Sequence, residues 1–356
     1  MDLMKPWAEV DLPWVRTAYA CPFVYAAVMD AFADLLRGVR ADGSVFGHTI
    51  LSPPWSLRFV DGAPLTLCSL LRGEGWIMAE AQEPQRITAG EVVVVRGPRP
   101  FSFMDEPATD ASAAVDCGEH CAIPANGGTV HHLGWTCGDP GGSTTLIVGA
   151  YPVRGDVGRR LLKALPPVLT VSEDGDTAAV SEYIAAEVAA DRPGQQVVLD
   201  RLLDWMLVCT LRAWFDRPES SAPAWYTALS DPIVGEALRL MHDDPARPWT
   251  VAQLAARGGV SRSAFARRFT TLVGEPPLAY LTQWRMTIAS DLLTEPDTTI
   301  ADVAKRVGFA DAFSFSAAFK RVKGMSPSKH RAQQARPVAS TRSALSTRDR
   351  RDLTRS

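Results

Sequence analysis

The sequence predicts an α+β, multidomain protein with a strand-rich front, a helical middle, and an all-α rear holding two helix-turn-helix units. Three observations carry this. At 356 residues the chain exceeds the ~250–300 residues at which a single core usually stops growing. Its apolar residues form short runs broken by turns up to about Tyr151, and after that they recur at helical spacing. Its charge is divided: residues 1–228 hold 17 Lys and Arg against 28 Asp and Glu, residues 229–335 hold 14 against 10, and residues 336–356 hold 6 against 2. An acidic front joined to a basic rear points to a polyanion as the partner of the rear.

An apolar share of 46% excludes wholesale disorder. No apolar run approaches the ~20 residues of a membrane helix. The opening Met1-Asp-Leu-Met-Lys-Pro-Trp7 lacks the basic region and apolar stretch of a secretory signal. Six cysteines are far too few for a disulfide scaffold. The expectation is a soluble, cytoplasmic protein with no membrane partner.

In chain order, Val24–Val39 reads as a helix ended by Gly38 and Asp42-Gly43. The segments Ser56–Val60, Leu65–Leu71, Trp76–Ala79, Glu91–Arg96 and Thr144–Val148 read as strands, punctuated by Gly73, Gly75, Gly90, Gly97 and Pro98. That pattern belongs to an antiparallel sandwich or barrel. Thr177–Asp191 and Gln196–Phe215 then read as helices. The second carries Leu199, Leu202, Leu203, Met206, Leu207, Thr210, Leu211 and Trp214 in one stripe. Such a stripe is either intramolecular core or a dimer seam, and the sequence leaves both open. Residues 1–216 form the expected front domain. Residues 217–230, with two Pro and two Ser between Arg217 and Ala224, are the expected linker. Residues 231–333 are the expected rear domain, and residues 334–356 an aperiodic tail expected to be disordered.

The most informative segment is Thr250–Lys323. Thr250 and Thr299 each suit an N-cap, followed by Val251, Leu254, Ala255 in one copy and Ile300, Val303, Ala304 in the other. Gly259-Val260 and Gly308-Phe309 end these short helices. Ser261 and Asp311 open the next ones, with Phe265, Phe269, Leu272 and Phe315, Phe319, Val322 turned inward. The copies are offset by 49 residues through the turn and 50 in the second helix. Two tandem helix-turn-helix units follow, at about 251–272 and 299–322, and the repetition excludes a chance match.

With the phenylalanines inward, Arg262, Ser263, Ala266, Arg267 and Thr270 face away in the first unit. Arg267 is the long donor suited to guanine in the major groove, with Arg262 and Arg268 placed for phosphates. In the second unit Phe313, Ser314 and Ala317 occupy the matching positions, followed by Lys320, Arg321 and Lys323. No long donor stands at the base-reading positions, so this unit reads as a backbone clamp with modest base readout. Phe313 either touches a thymine methyl or joins the core.

Val307-Gly-Phe-Ala-Asp-Ala-Phe-Ser-Phe-Ser-Ala-Ala-Phe-Lys-Arg-Val-Lys-Gly-Met-Ser-Pro-Ser-Lys-His-Arg331 resembles the C-terminal hallmark of the AraC/XylS family of transcription regulators. Leu254-Ala-Ala256, Ser261–Phe269 and Gly274–Leu281 resemble its first unit and connecting helix. The resemblance covers roughly 231–331. It implies a helix over about Pro277–Thr294 that presents both reading helices to one DNA face, about 34 Å apart.

The front resembles the cupin-like ligand-binding domain of one branch of that family, at Pro54–Arg58, Leu71–Trp76, Ala89–Val95 and Leu161–Val168. This implies a cupin-like β-barrel with flanking helices, a small-molecule effector, a homodimer, and RNA polymerase as a further partner, as in an activator. Trp55, Arg58 and Trp76 are the candidate effector contacts. Cys68 stands where a cupin enzyme would carry a metal-binding His, so no facial triad and no enzyme is expected, and no cofactor.

One cluster stands apart: Asp116-Cys117-Gly-Glu-His120-Cys121, His131-His132 and Cys137. Cys117, Cys121, His131 and Cys137 have the chemistry of tetrahedral zinc ligands, and two of the thiols suffice for a redox switch. Small buried thiols and loop histidines are the third reading. Cys21, Cys68 and Cys209 lie in apolar surroundings and are expected in the core. The functional expectation is a regulator whose front senses a small molecule and whose rear binds operator DNA. A metal- or thiol-responsive regulator and a non-sensing DNA-binding dimer are the alternatives.

Overall fold

The computed structural model describes residues 31–36, 39, 46–60, 62–79, 82–109, 113–115, 137–138, 141–153, 155–172, 175–190, 192–218, 220 and 222–334. The front comprises α1 (Ala31–Leu36), β1 (Phe46–Leu51), β2 (Ser56–Phe59), β3 (Leu65–Arg72), β4 (Glu74–Ala79), β5 (Gln85–Thr88), β6 (Glu91–Arg96), β7 (Phe101–Met104), β8 (Ala113–Val115), β9 (Cys137–Gly138), β10 (Thr144–Tyr151), α2 (Gly155–Lys163) and β11 (Val168–Ser172). Then come α3 (Asp176–Ala190), α4 (Gln195–Phe215) and α5 (Ala224–Thr227), which runs into a 3-10 turn (Ala228–Ser230). The rear comprises α6 (Val234–Asp243), α7 (Val251–Arg257), α8 (Arg262–Val273), α9 (Pro277–Leu292), α10 (Ile300–Arg306), α11 (Ala312–Lys323) and α12 (Pro327–Gln334).

The strands form two sheets. One has the order β11-β6-β3-β10-β1-β9, the other β5-β4-β7-β2-β8. Pairing is antiparallel except for β1 with β9 and β2 with β8. The expected barrel is therefore corrected to a sandwich: among the described residues no strand pairing joins the sheets, and side chains alone hold them face to face. Leu57, Phe59, Ile77, Ile87, Phe101 and Phe103 from the smaller sheet meet Cys68, Leu70, Val93, Val95, Leu146 and Val148 from the larger.

The larger sheet is buried on both faces. Val92 and Val94 join the helical side, Val93 and Val95 the sandwich side. This is why Glu91–Arg96 reads as an unbroken apolar run instead of alternating. β1, β5 and β7 fall within the strand-rich stretch that ends near Tyr151, and β11 and α2 follow it.

α4 settles the question left open by its stripe. Leu199, Leu203, Met206, Leu207 and Leu211 are buried against the larger sheet, with the δ-carbons of Leu203 over Gly149 and the Tyr151 hydroxyl donating to the Leu203 carbonyl at 2.7 Å. The stripe is intramolecular core. The opposite side of α4 keeps apolar residues in solvent, with Val197 62% and Trp205 44% exposed, and Tyr183 of α3 is 62% exposed.

The stretch 217–230 holds α5 and the 3-10 turn. Trp225 is buried, and Tyr226 packs on Phe32 and Phe215, with ring centroids 5.5 and 4.9 Å away. Its prolines mark turns, while its aromatics anchor it. As a result, one apolar cluster runs without a break from the larger sheet through α4, α5 and α6 to Phe265, Phe269, Tyr280 and Trp284. A second cluster, formed by Met286, Ala289, Leu293, Val303, Ala304, Val307, Phe315, Ala318 and Phe319, fills the second helix-turn-helix unit.

Leu203→Ala leaves a cavity over Gly149 and should lower unfolding stability by about 2–5 kcal/mol, measured by denaturant titration. Leu203→Asp buries an uncompensated charge and should give no folded protein. A well-folded Leu203→Asp variant would show that α4 does not pack as described.

Candidate nucleic-acid interface

Both units are built by local capping. Thr250 accepts from the Gln253 backbone N–H while the Gln253 side chain accepts from Thr250 N–H, and Thr299 and Asp302 repeat the arrangement. These capping boxes satisfy donors that a helix start leaves over. Ser261 and Asp311 cap α8 and α11 through the backbone N–H groups of Ala264 and Ser314. The Asp311 carboxyl is held below its ordinary range by the Ser314 N–H and hydroxyl. Gly308, at φ 78°, packs so closely that a Cβ would lie 2.2 Å from the Ala246 carbonyl oxygen, so only glycine fits this turn. The reading helices close on Gly274 and Gly324, both left-handed.

Inward faces agree with the expectation at Phe265, Phe269, Phe315 and Phe319, all fully buried. Val322 differs: it is exposed, and Ala318 takes the inward place. The reason is geometric. Val322 shares the face of the two phenylalanines but stands in the last turn of α11, past the end of the small core.

The candidate DNA contacts fall as follows. Arg262, Ser263 and Arg267 are exposed on α8 and Ala266 is half-buried. Arg267 borders an open cleft of about 420 Å³ between α8 and the Asp231–Ile233 segment. Arg268, expected at a phosphate, donates its guanidinium to Asp231 with Nε 2.9 Å and Nη2 2.5 Å from Oδ2. Partial burial pushes the Asp231 carboxyl up, but Arg268 and the N–H groups of Val234 and Ile233 outweigh it and hold it below the usual range. On α11, Phe313, Ser314, Ala317, Lys320 and Arg321 are exposed.

α9 carries both units. Tyr280, Leu281 and Trp284 lie in the larger apolar cluster, Met286, Ala289 and Leu293 in the smaller. It is braced at three points. His242 of α6 is buried, with Nδ1 2.6 Å from Asp34 Oδ2 of α1 and Nε2 2.8 Å from the Tyr280 hydroxyl, and its ring stacks on Trp284 at 4.3 Å. In the neutral imidazole the carboxylate accepts the Nδ1 proton and Nε2 accepts the tyrosine proton. Burial pushes the Tyr280 hydroxyl up to about 12, so it stays a donor at any ordinary pH. Arg285 donates to the carbonyls of Pro245 and Arg247. Asp291 accepts from the backbone N–H of Asp156, at 2.5 Å, and of Val157, at 3.2 Å, where α2 begins. Gly155 permits this approach, since a Cβ there would sit 2.5 Å from the Asp291 carboxylate.

The second unit is also held from the front by Lys323, whose Nζ is 2.7 Å from Asp156 Oδ2. Sequence reading missed Asp34, Asp156, Asp231, His242 and Asp291. Asp231 accepts locally from the Ile233 and Val234 N–H groups, but the partners that tie these residues across the fold lie up to 208 residues away.

The candidate effector residues do not converge. Trp55 lies in the sandwich core against Gly75, its Nε1 buried with no hydrogen-bond partner among the described residues. By strand register, Arg58 and Trp76 belong to the other face of the smaller sheet, with Arg58 exposed and Trp76 half-buried. Cys68 and Cys209 are buried and join no disulfide, in accord with the core expectation. Cys21, Cys117, His120, Cys121, His131 and His132 lie outside the described residues, as does the tail 335–356, and of Cys137 only the backbone is described, on β9.

Two capped helix-turn-helix units on one connecting helix, mounted on a β-sandwich body, define a DNA-binding transcription regulator. Comparisons with known proteins agree. A cupin family matches residues 30–216 and a helix-turn-helix domain family matches residues 254–333. An AraC-like transcription regulator of Streptomyces lividans is 31% identical over 314 residues, 87% of this chain and 100% of that protein. The HTH-type transcriptional regulator AlkR of Acinetobacter baylyi is 29% identical, over 86% of this chain and 100% of that protein. The DNA-binding domain of AdpA, solved in complex with a target DNA, is 36% identical over 29% of this chain and 93% of that chain, with a TM-score of 0.28. The chain belongs to the AraC-like transcription regulators.

The Asp156 clamp has a defined pH response. Burial opposes ionisation of this carboxyl, but hydrogen bonds from Lys323 and Arg159 outweigh it and hold it far below its ordinary range. Its stabilising contribution is therefore full above the ordinary carboxylate range and fades as pH falls through it. Asp156→Asn should lower Tm at pH 7, and the gap to the parent should narrow steadily below about pH 4. A pH-independent gap in scanning calorimetry would show that the ion pair is not what Asp156 contributes.

Proposed function

We propose that this protein is a dimeric, effector-responsive regulator that recognises its operator through two unlike contacts, α8 reading base edges by hydrogen bonding and α11 entering the next major-groove segment, held chiefly by backbone contacts. The observation that carries the reading is the asymmetry of the repeat. Arg267 is a long, exposed donor on the outward face of α8, while the matching position on α11 is Ala317, followed by exposed Lys320 and Arg321. Arg paired with guanine gives sequence discrimination, and cations beside phosphates give affinity without it. Arg262 joins the phosphate contacts, and Arg268 serves to fix α8 against the Asp231 segment.

The effector acts from the front half, and the route to the reading helices is the set of polar ties from the front half to α9 and α11. A ligand that favours one arrangement of Asp34, His242 and Tyr280, or of Asp156 and Lys323, shifts the population of DNA-competent placements. Dimerisation uses the outer side of α4, where Val197, Val198 and Trp205 stay exposed; an apolar face of this kind suits a self-complementary contact. The setting is cytoplasmic, and RNA polymerase is the further partner of an activator. No catalytic role is assigned, in keeping with relatives that are transcription regulators.

Arg267→Ala should lose about 1–3 kcal/mol on the preferred site and relax preference at one base pair. Arg321→Ala should weaken binding on all sequences alike and flatten the salt slope by about one unit. Site selection from random DNA, followed by titration at several salt concentrations, separates the two. An Arg267→Ala variant with unchanged preference would remove α8 from the reading role. Trp205→Glu should leave a folded protein that sediments as a monomer and binds full operator more weakly; a dimer in sedimentation would exclude the outer side of α4 as the seam.

A further inference from the structure

Phe313 is 86% exposed, more than any other large apolar side chain among the described residues. It stands in the first turn of α11, two residues after the Asp311 cap, so its backbone is fixed by the Ser314 N–H to Asp311 bond at 2.7 Å. It is no part of the core beside it, which closes over Phe315 and Phe319 without it. The polar groups around it are already used. The Ser314 hydroxyl donates to the Asp311 carbonyl and the Ser316 hydroxyl to the Ala312 carbonyl. One turn on, at the same side of the helix, lies exposed Ala317. Through the 50-residue offset of the repeat, Phe313 and Ala317 occupy the places of Ser263 and Arg267. The reading face of α8 is thus polar at these two positions, and that of α11 is apolar.

Each base pair in the major groove shows hydrogen-bonding groups except at one point, the C5-methyl of thymine, which is the apolar feature available to an apolar side chain. From this match we propose that Phe313, with Ala317 beside it, is a specificity-determining residue that reads a thymine methyl in the second half of the operator. Lys320 and Arg321, exposed in the last turn, supply the phosphate contacts that hold the ring there. The second unit then adds sequence information by apolar contact and is more than a clamp. The proposal rests on the reading that α11 enters the major groove.

The test uses the full chain and an operator selected from random duplex DNA. Every thymine of the second half-site is replaced singly by deoxyuridine, which deletes the methyl and leaves the hydrogen-bonding edge intact. One replacement should weaken binding about fourfold, the equivalent of ~0.8 kcal/mol for one buried methyl-sized group. Phe313→Ala, at an exposed position that the fold does not need, should lose a similar factor on the thymine operator and bind the deoxyuridine operator no worse than that. Equal binding of both operators by the parent would overturn the proposal, as would a Phe313→Ala variant that still discriminates them. A Phe313→Ala variant with parental DNA binding but lost transcription with purified RNA polymerase would also overturn it, by making Phe313 a protein contact. Failure to select any sequence would instead strike at the operator-reading role itself.

Discussion

α9 is shared between two apolar clusters, and the placement of everything that faces DNA depends on it. Its first two turns give Tyr280, Leu281 and Trp284 to the cluster that continues into the sandwich, and its last turns give Met286 and Ala289 to the second unit. A helix is stiff over this length, so wherever α9 is fixed, both reading helices are fixed. The buried Asp34–His242–Tyr280 chain of contacts is the polar element that ties it to the front half. Such a network is costly to leave half-made, and it therefore favours discrete arrangements over gradual ones.

The two units are attached in different ways. The first is built into the body, because Phe265 and Phe269 share a core with α5, α6 and the sheet. The second has its own small core and reaches the front through polar contacts, Asp156 with Lys323 and Asp291 with the start of α2. Partly exposed ion pairs are weak compared with apolar burial. The second unit is thus the part held to the front at the smaller free-energy cost of release. The same asymmetry appears in their chemistry, with a guanidinium at 267 and a methyl at 317.

The sandwich serves this arrangement by burying its larger sheet on both faces. One face is used up by the smaller sheet and the other by α1, α2, α3 and α4.

The sequence by itself determined the two helix-turn-helix units, with their caps, glycines and inward phenylalanines, because each signal lies within a few residues of what it controls. It also determined the strand-rich front and the polyanion partner, through period and charge. It left the α4 stripe and Phe313 undecided, since periodicity tells which residues share a face and not what covers that face. Tertiary structure alone decided that Leu203 meets Gly149, that Phe313 stands in solvent, that the sheets stay open, and that Arg268 belongs to Asp231. It alone joined Asp34 to His242 and Asp156 to Lys323. The physical reason is distance along the chain: a hydrogen bond or ion pair between residues more than 150 positions apart leaves no local pattern, and it forms only when the packed cores bring its two ends together.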